Sequence, residues 1–269
     1  MTRLTPATQD YLKVVWAARE WDDDGPSTTA LAVRLGLSVS SVSDGVKRLT
    51  AQGLLEHAPY GSIGLTEAGR AAALAVVRKH RLIETFLVEY LGYGWDEVHD
   101  EAEVLEHAVS DEFVERLAQR LGNPERDPHG DPIPAPDGTV AAPPAVRLSA
   151  LGTGAGAVIA RVSDAEPELL RYLAEVGLVL DAPVRVVARR DVVGTLDVEV
   201  GDASRGRGAA LDEAVADGAA VHGADVDAGV ADGTAVDAAA ADAAPVLSLG
   251  LAAADAVWVV PEASVGSTP

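Results

Sequence analysis

The stretch "STTALAVRLGLSVSSVSDGVKRLTAQG", residues 27–53, decides how the rest of the chain is read. Ser27 or Thr28 can cap a helix, because a side-chain oxygen there accepts from backbone N–H groups that the first turn leaves unbonded. Gly36 stops that helix, since glycine enters the left-handed conformation without a Cβ penalty. Ser38 caps a second run at once, and Val42, Val46 and Leu49 follow at i, i+4, i+7. Two short helices separated by "GLS" predict a helix-turn-helix.

The flanks extend this reading. Upstream, "PATQDYLKVVWAARE" (6–20) carries Tyr11, Leu12, Val15, Trp16 and Ala18 at helical spacing after a Thr-Pro start, and "WDDDGPS" then breaks the chain. Downstream, "LLEHAPYGSIGLTEAGR" (54–70) places two apolar-rich stretches around "PYGS", which predicts a β-hairpin wing. A helix, a helix-turn-helix and a hairpin in that order make a winged helix. In such a motif the second helix of the pair enters the major groove and its first turns meet base edges. Ser38, Ser40, Ser41, Ser43, Asp44, Lys47 and Arg48 are therefore the candidate DNA-facing residues, with Tyr60 at the wing turn. Asp44 is unfavourable near phosphates but can accept from cytosine N4.

Charge at first argues against this. The 269 residues carry a net charge of −21, and nucleic-acid binders are usually basic. The charge is unevenly spread, however. Residues 1–90 hold ten Lys+Arg and ten Asp+Glu, and residues 91–269 hold 11 and 32, so the excess lies outside the winged helix. There are only three lysines, Lys13, Lys47 and Lys79. With abundant Asp and many small apolar residues, this composition suggests adaptation to high internal salt, where charges are screened beyond about 3 Å. The chain has no cysteine, so any metal site must use Asp, Glu, His and backbone oxygen. The N-terminus has no signal pattern and no apolar run reaches membrane-span length, so a cytoplasmic protein is expected.

"VHDEAEVLEHAVSDE" (98–112) packs six carboxylates and two histidines into fifteen residues. On one continuous helix at about 100° per residue, with His99 at zero, Glu103 falls at about 40°, Glu106 at about −20° and His107 at about 80°. Val98, Ala102, Leu105, Val109 and Phe113 cluster at about 240–320° and Asp100, Glu101, Asp111 and Glu112 at about 100–220°. The first set abuts the apolar face and the last is a solvated one. Two carboxylates and two imidazoles at a buried edge need compensation, which a divalent cation supplies. In the preceding helix, 67–92, His80 and Glu84 share a face at i, i+4.

Taken together, "TQDYL", the winged helix, "RKHRLIETFL", "VHDEAEVLEH" and "PHGDPIP" (128–134) closely resemble the diphtheria toxin repressor/MntR family of metal-dependent regulators, over residues 5–140. The resemblance implies two metal positions per subunit between helix 1 and the dimerisation helices. One would use Asp10, Glu103, Glu106 and His107, and the other His80, Glu84 and His99. Iron-type members have methionine and cysteine where Asp10 and Glu103 stand, and manganese-type members have Asp and Glu as here. Hard oxygen donors agree with Mn²⁺, or alternatively Fe²⁺. Lys13 stands where the smaller manganese regulators place a glutamate ligand.

Past the proline-rich connector 123–144, "GAVIARVSD", "APVRVVARR" and "TLDVEVG" alternate like strands and "PELLRYLAEVGL" (167–178) is helical. This part resembles the SH3-like/FeoA domain of longer members, a small β-barrel. In them that domain can add an acidic ligand, for which Glu166, with Glu168 behind it, is the best match. Residues 202–244 are Ala/Gly/Asp-rich low complexity, read as an insertion before a last strand, "DAVWVV" (255–260).

The expected architecture is mainly α: a winged helix-turn-helix at 1–72, a helical dimerisation and metal-binding domain at 73–142, and a small barrel at 143–262. The expected function is a homodimeric, non-enzymatic, metal-activated repressor of metal-uptake genes that reads a palindromic DNA operator. Its rivals are a winged-helix sensor of an organic ligand and a metallohydrolase.

Overall fold

The computed structural model describes residues 4–21, 25–57, 61–203 and 246–262. Tyr60 and nearly all of the 202–244 insertion lie outside them. The chain divides into two compact units, Met1–Ala142 and Pro143–Pro269.

The first unit begins with α1 (Pro6–Glu20), α2 (Thr28–Arg34) and α3 (Val39–Ala51). Each starts where its sequence allows. Thr5, Ser27 and Ser38 accept from Thr8, Ala30 and Ser41 N–H respectively, which satisfies donors the helix cannot. Between α2 and α3 the chain turns at Gly36, with φ of 62°. α1 crosses α3 closely enough that a Cβ on Gly45 would lie 2.5 Å from the Tyr11 hydroxyl oxygen. Leu12, Val15, Leu31, Val42, Val46, Leu49, Leu55 and Ile63 form the core beneath. β1 (Leu55–His57) and β2 (Ile63–Leu65) pair antiparallel as the wing.

α4 (Glu67–Leu91) leads out of the wing and ends at Gly92 in the left-handed conformation. α5 (Val98–Glu106) and α6 (Asp111–Arg120) pack against it through Leu82, Ile83, Leu87, Val98, Ala102, Val114 and Leu117. The acidic run is thus two helices, and the single helical wheel drawn for 98–113 does not hold. Ser110 accepts from Phe113 N–H and starts a new helix, so Phe113 is not on the buried stripe; it is 47 % exposed.

The second unit is a six-stranded antiparallel sheet in the order β3-β8-β4-β5-β6-β7. Its strands are β3 (Val146–Arg147), β4 (Gly156–Val162), β5 (Pro183–Arg190), β6 (Thr195–Val200), β7 (Val246–Gly250) and β8 (Val257–Pro261), with α7 (Pro167–Glu175) and the short α8 (Leu251–Asp255). β6 and β7 form a hairpin in which Glu199 partners Val246. Among the described residues the sheet does not close into the expected barrel. β3, of two residues, and β7 are its two edges. Ile159, Leu170, Leu173, Leu178, Val186, Leu196, Val198 and Val257 are buried in this unit. Among the described residues no helix is long and apolar enough to cross a membrane.

Candidate metal centre

α1, α4 and α5 converge on one cluster of acids and bases within the first unit. α1 contributes Asp10 and, one helical turn on, Lys13. α4 contributes His80 and Glu84, and α5 contributes His99, Glu103 and Glu106, with His107 at its C-cap. All seven proposed ligands of this unit are brought together. Asp10, Glu106 and His107 present ligand atoms within 4.8 Å of one another, and so do His80, His99 and Glu103.

Glu106 lies at the centre. Its Oε2 accepts from His80 Nδ1 at 2.6 Å, and its Oε1 lies 3.5 Å from His107 Nε2. His107 Nε2 is 2.9 Å from Asp10 Oδ1, while its Nδ1 faces Gln9 Oε1 at 2.7 Å. His80 Nε2 lies 2.9 Å from Glu84 Oε1 and 3.3 Å from His99 Nδ1. His99 Nε2 is 3.4 Å from Glu103 Oε1. Glu103 therefore sits on the His80/His99 side of the cluster as well as beside Glu106.

The electrostatics follow from burial and pairing. Burial alone would lower His80, but the flanking Glu84 and Glu106 push it up to about 10. Burial would raise Glu84, yet His80 holds it well below the usual carboxylate range. Burial would raise Glu103 too, and Lys13 brings it down. Asp10 is raised by burial, which His107 and Lys13 only partly oppose.

Four residues have contacts here that the sequence did not reveal. Lys13 Nζ donates to Glu103 at 2.5 Å and to both Glu106 oxygens at 2.8 and 2.9 Å. Its position was noted, but its reach across to α5 is visible only in the fold. Gln9 orients His107, in the way that ligating histidines usually anchor their second nitrogen. Asp127, just before "PHGDPIP", and His129, within it, form a further close group with Glu84, and all three are buried. Asp127 Oδ1 accepts from the backbone N–H of His129 and of Asp131, which is a loop-shaping role.

On α3, Ser38, Ser40, Ser41, Asp44, Lys47 and Arg48 are exposed and Ser43 is half-buried. Lys47 Nζ donates to Asp44 Oδ1 at 3.3 Å, which offsets the carboxylate that looked unfavourable beside phosphates. Glu166 and Glu168 are exposed at the start of α7 in the second unit.

The donors are oxygen and nitrogen without sulfur, closely spaced, and fed from three helices, which fits a hard or borderline divalent cation. Comparison with known proteins agrees. Residues 3–63 match the iron dependent repressor N-terminal DNA binding domain, residues 66–135 the iron dependent repressor metal binding and dimerisation domain, and residues 146–218 the FeoA domain. The iron-dependent repressor IdeR of Mycobacterium leprae (strain TN) is 38% identical over 199 residues, 69% of this chain and 86% of that one. The diphtheria toxin repressor of Corynebacterium diphtheriae (strain ATCC 700971 / NCTC 13129 / Biotype gravis) is 39% identical over 139 residues, 51% of this chain and 60% of that one. Among solved structures, a manganese-dependent transcriptional repressor in complex with manganese superposes with a TM-score of 0.77 at 45% identity, covering 94% of this chain and 99% of that one. The manganese regulator SloR gives 0.69 at 28% identity, covering 96% and 100%. Winged helix, dimerisation helices and donor cluster define a metal-dependent transcriptional repressor. The chain belongs to the diphtheria toxin repressor/IdeR family, with the DNA-binding, metal-binding/dimerisation and FeoA domains in that order.

Proposed function

We propose that the chain is a homodimer whose affinity for a palindromic DNA operator rises when Mn²⁺, or alternatively Fe²⁺, binds at the α1–α4–α5 cluster. The observation that carries this is the position of Asp10. It lies in the first helix of the DNA-binding domain, yet faces His107 at the end of α5, 2.9 Å away. Asp10, Glu103, Glu106 and His107 would hold one cation, and His80, Glu84 and His99 a second.

A bound divalent cation supplies positive charge that ligands from α1 and α5 can share. Asp10 then holds α1, and with it α3, in a fixed pose on the dimerisation helices. Gln9 keeps His107 Nε2 turned toward Asp10. Ser38, Ser40 and Ser41 at the exposed start of α3, with Arg48 in its last turn, face the groove, and two copies must sit about 34 Å apart to read a palindrome. Ligand binding thus favours the competent arrangement over others the free protein samples. Dimerisation is supported by Tyr90, Leu91, Val104 and Phe113, large apolar side chains left exposed on α4, α5 and α6. Mn²⁺ is preferred over Fe²⁺ because Asp10 and Glu103 offer oxygen where iron-type relatives offer sulfur. Metal-uptake genes are the targets this reading implies.

The test is DNA binding followed by fluorescence anisotropy, on a duplex selected from random sequence, titrated separately with Mn²⁺ and anaerobic Fe²⁺. Glu103→Ala and His107→Ala should each abolish the metal-stimulated gain while leaving the helical content intact. Stimulation retained in both variants would remove the site assignment.

A further inference from the structure

Lys13 is an unusual resident for a cation site. It is 8% exposed, so its ammonium has left water and must be compensated by fixed partners. Those partners are Glu103 and Glu106, met at 2.5 to 2.9 Å by three short contacts. Both belong to the ligand set that a divalent cation would use. Asp10 and His107 complete that set on the neighbouring side of Glu106. His80 and Glu84 close the cluster from α4, and His99 from α5.

Two positive centres cannot share the same carboxylate oxygens without repelling each other at short range. Glu106 has only two oxygens. Both contact Lys13, and Oε2 also accepts from His80. A cation that takes Glu106 must therefore weaken or displace the lysine. Lys13 also lies on α1, so its contacts already tie the DNA-binding domain to α5 in the way Asp10 would through a metal.

We propose that Lys13 is a tethered competitor of the activating cation. In the metal-free protein it occupies Glu103 and Glu106 and steadies α1 against α5, and it must leave them when a divalent ion enters. The site would thereby be set to respond only at higher metal concentration than the same ligands would without the lysine. This rests on the metal-binding reading above, and the two can fail separately.

Calorimetry with MnCl₂ on the intact wild-type chain and on Lys13→Met and Lys13→Gln tests it. Both variants remove the charge, and Gln keeps a donor toward Glu106. Each should bind Mn²⁺ at least tenfold more tightly than wild type, and the metal-free variants should melt at lower temperature. A second readout needs no variant, because the sequence has only three lysines. Acetylation of the native chain, read by mass spectrometry, should be slow at Lys13 without metal and at least tenfold faster with saturating Mn²⁺, with exposed Lys47 as reference. Variants that bind Mn²⁺ no more tightly than wild type, or an unchanged Lys13 acetylation rate at saturation, would overturn the proposal. A wild-type chain that takes up no Mn²⁺ or Fe²⁺ would instead overturn the metal-binding reading itself.

Discussion

Glu106 places a fully buried carboxylate against Lys13, His80 and His107 at once. The buried acids around it keep His80 charged far above its usual range, at about 10. The sign of the effect is set by that direction. An unfolded histidine titrates near about 6.5, so the folded, metal-free protein holds a proton the unfolded chain gives up. The resulting stability is fully present below about pH 6.5 and is lost as pH rises toward 10. The melting temperature of the metal-free protein should therefore fall across that window, by an amount that Glu84→Gln reduces. Metal entry at the same nitrogens must expel the proton, so Mn²⁺ affinity should climb over the same range. Calorimetry in two buffers of different ionisation enthalpy would read the release directly, and equal heats in both would contradict it.

At the scale of elements, a second buried network fastens the end of α1 to α4 and to the loop at 125–133. Arg81 on α4 donates to Glu20 at 2.8 and 2.5 Å and to the Pro132 carbonyl at 2.6 Å, and it lies 3.4 Å from Asp131. Trp21 Nε1 donates to the same Asp131 at 2.7 Å. Arg81→Met would leave Glu20 and Asp131 buried without their guanidinium partner, which costs about 3–5 kcal/mol. A drop of that size in urea-unfolding free energy checks it, and a near-neutral result would mean that water replaces the guanidinium. Elements of this kind differ in how legible they were. α1, α2, α3 and α4 could be read because their caps are local, at Thr5, Ser27, Ser38 and Thr66. The break between α5 and α6 is just as local. Ser110, followed by Asp111 and Glu112, is a helix start, and it was overlooked because acidic and apolar spacing ran on across it. Lys13 is different in kind. Nothing near it in sequence marks a contact with residues 90 and 93 positions away, so only tertiary packing reveals it.

For the molecule as a whole, the charge of −21 is carried entirely by residues 91–269. Like charges at that density repel in the compact state, and salt screens them over a Debye length that shrinks from about 10 Å at 0.1 M to about 3 Å at 1 M. The melting midpoint should rise steadily between 0.1 and 2 M KCl. A flat or falling curve would remove the high-salt reading of the composition. The open edges of the sheet were not legible in the sequence, where a closed barrel was expected. β3 and β7 are edge strands of two and five residues whose pairing depends on partners far along the chain.

The β6–β7 hairpin carries one last consequence, and it concerns chain entropy. Glu199 and Val246 face each other in the ladder, so the two strand ends that flank residues 201–245 are already neighbours. Closing a connection of that length costs about 2 kcal/mol more than closing a four-residue turn. Replacing 203–245 by a short Asn-Gly turn should therefore preserve the sheet and raise the unfolding free energy of the second unit by about that amount. If the sheet fails to form instead, the long connection supplies something to folding that a turn cannot.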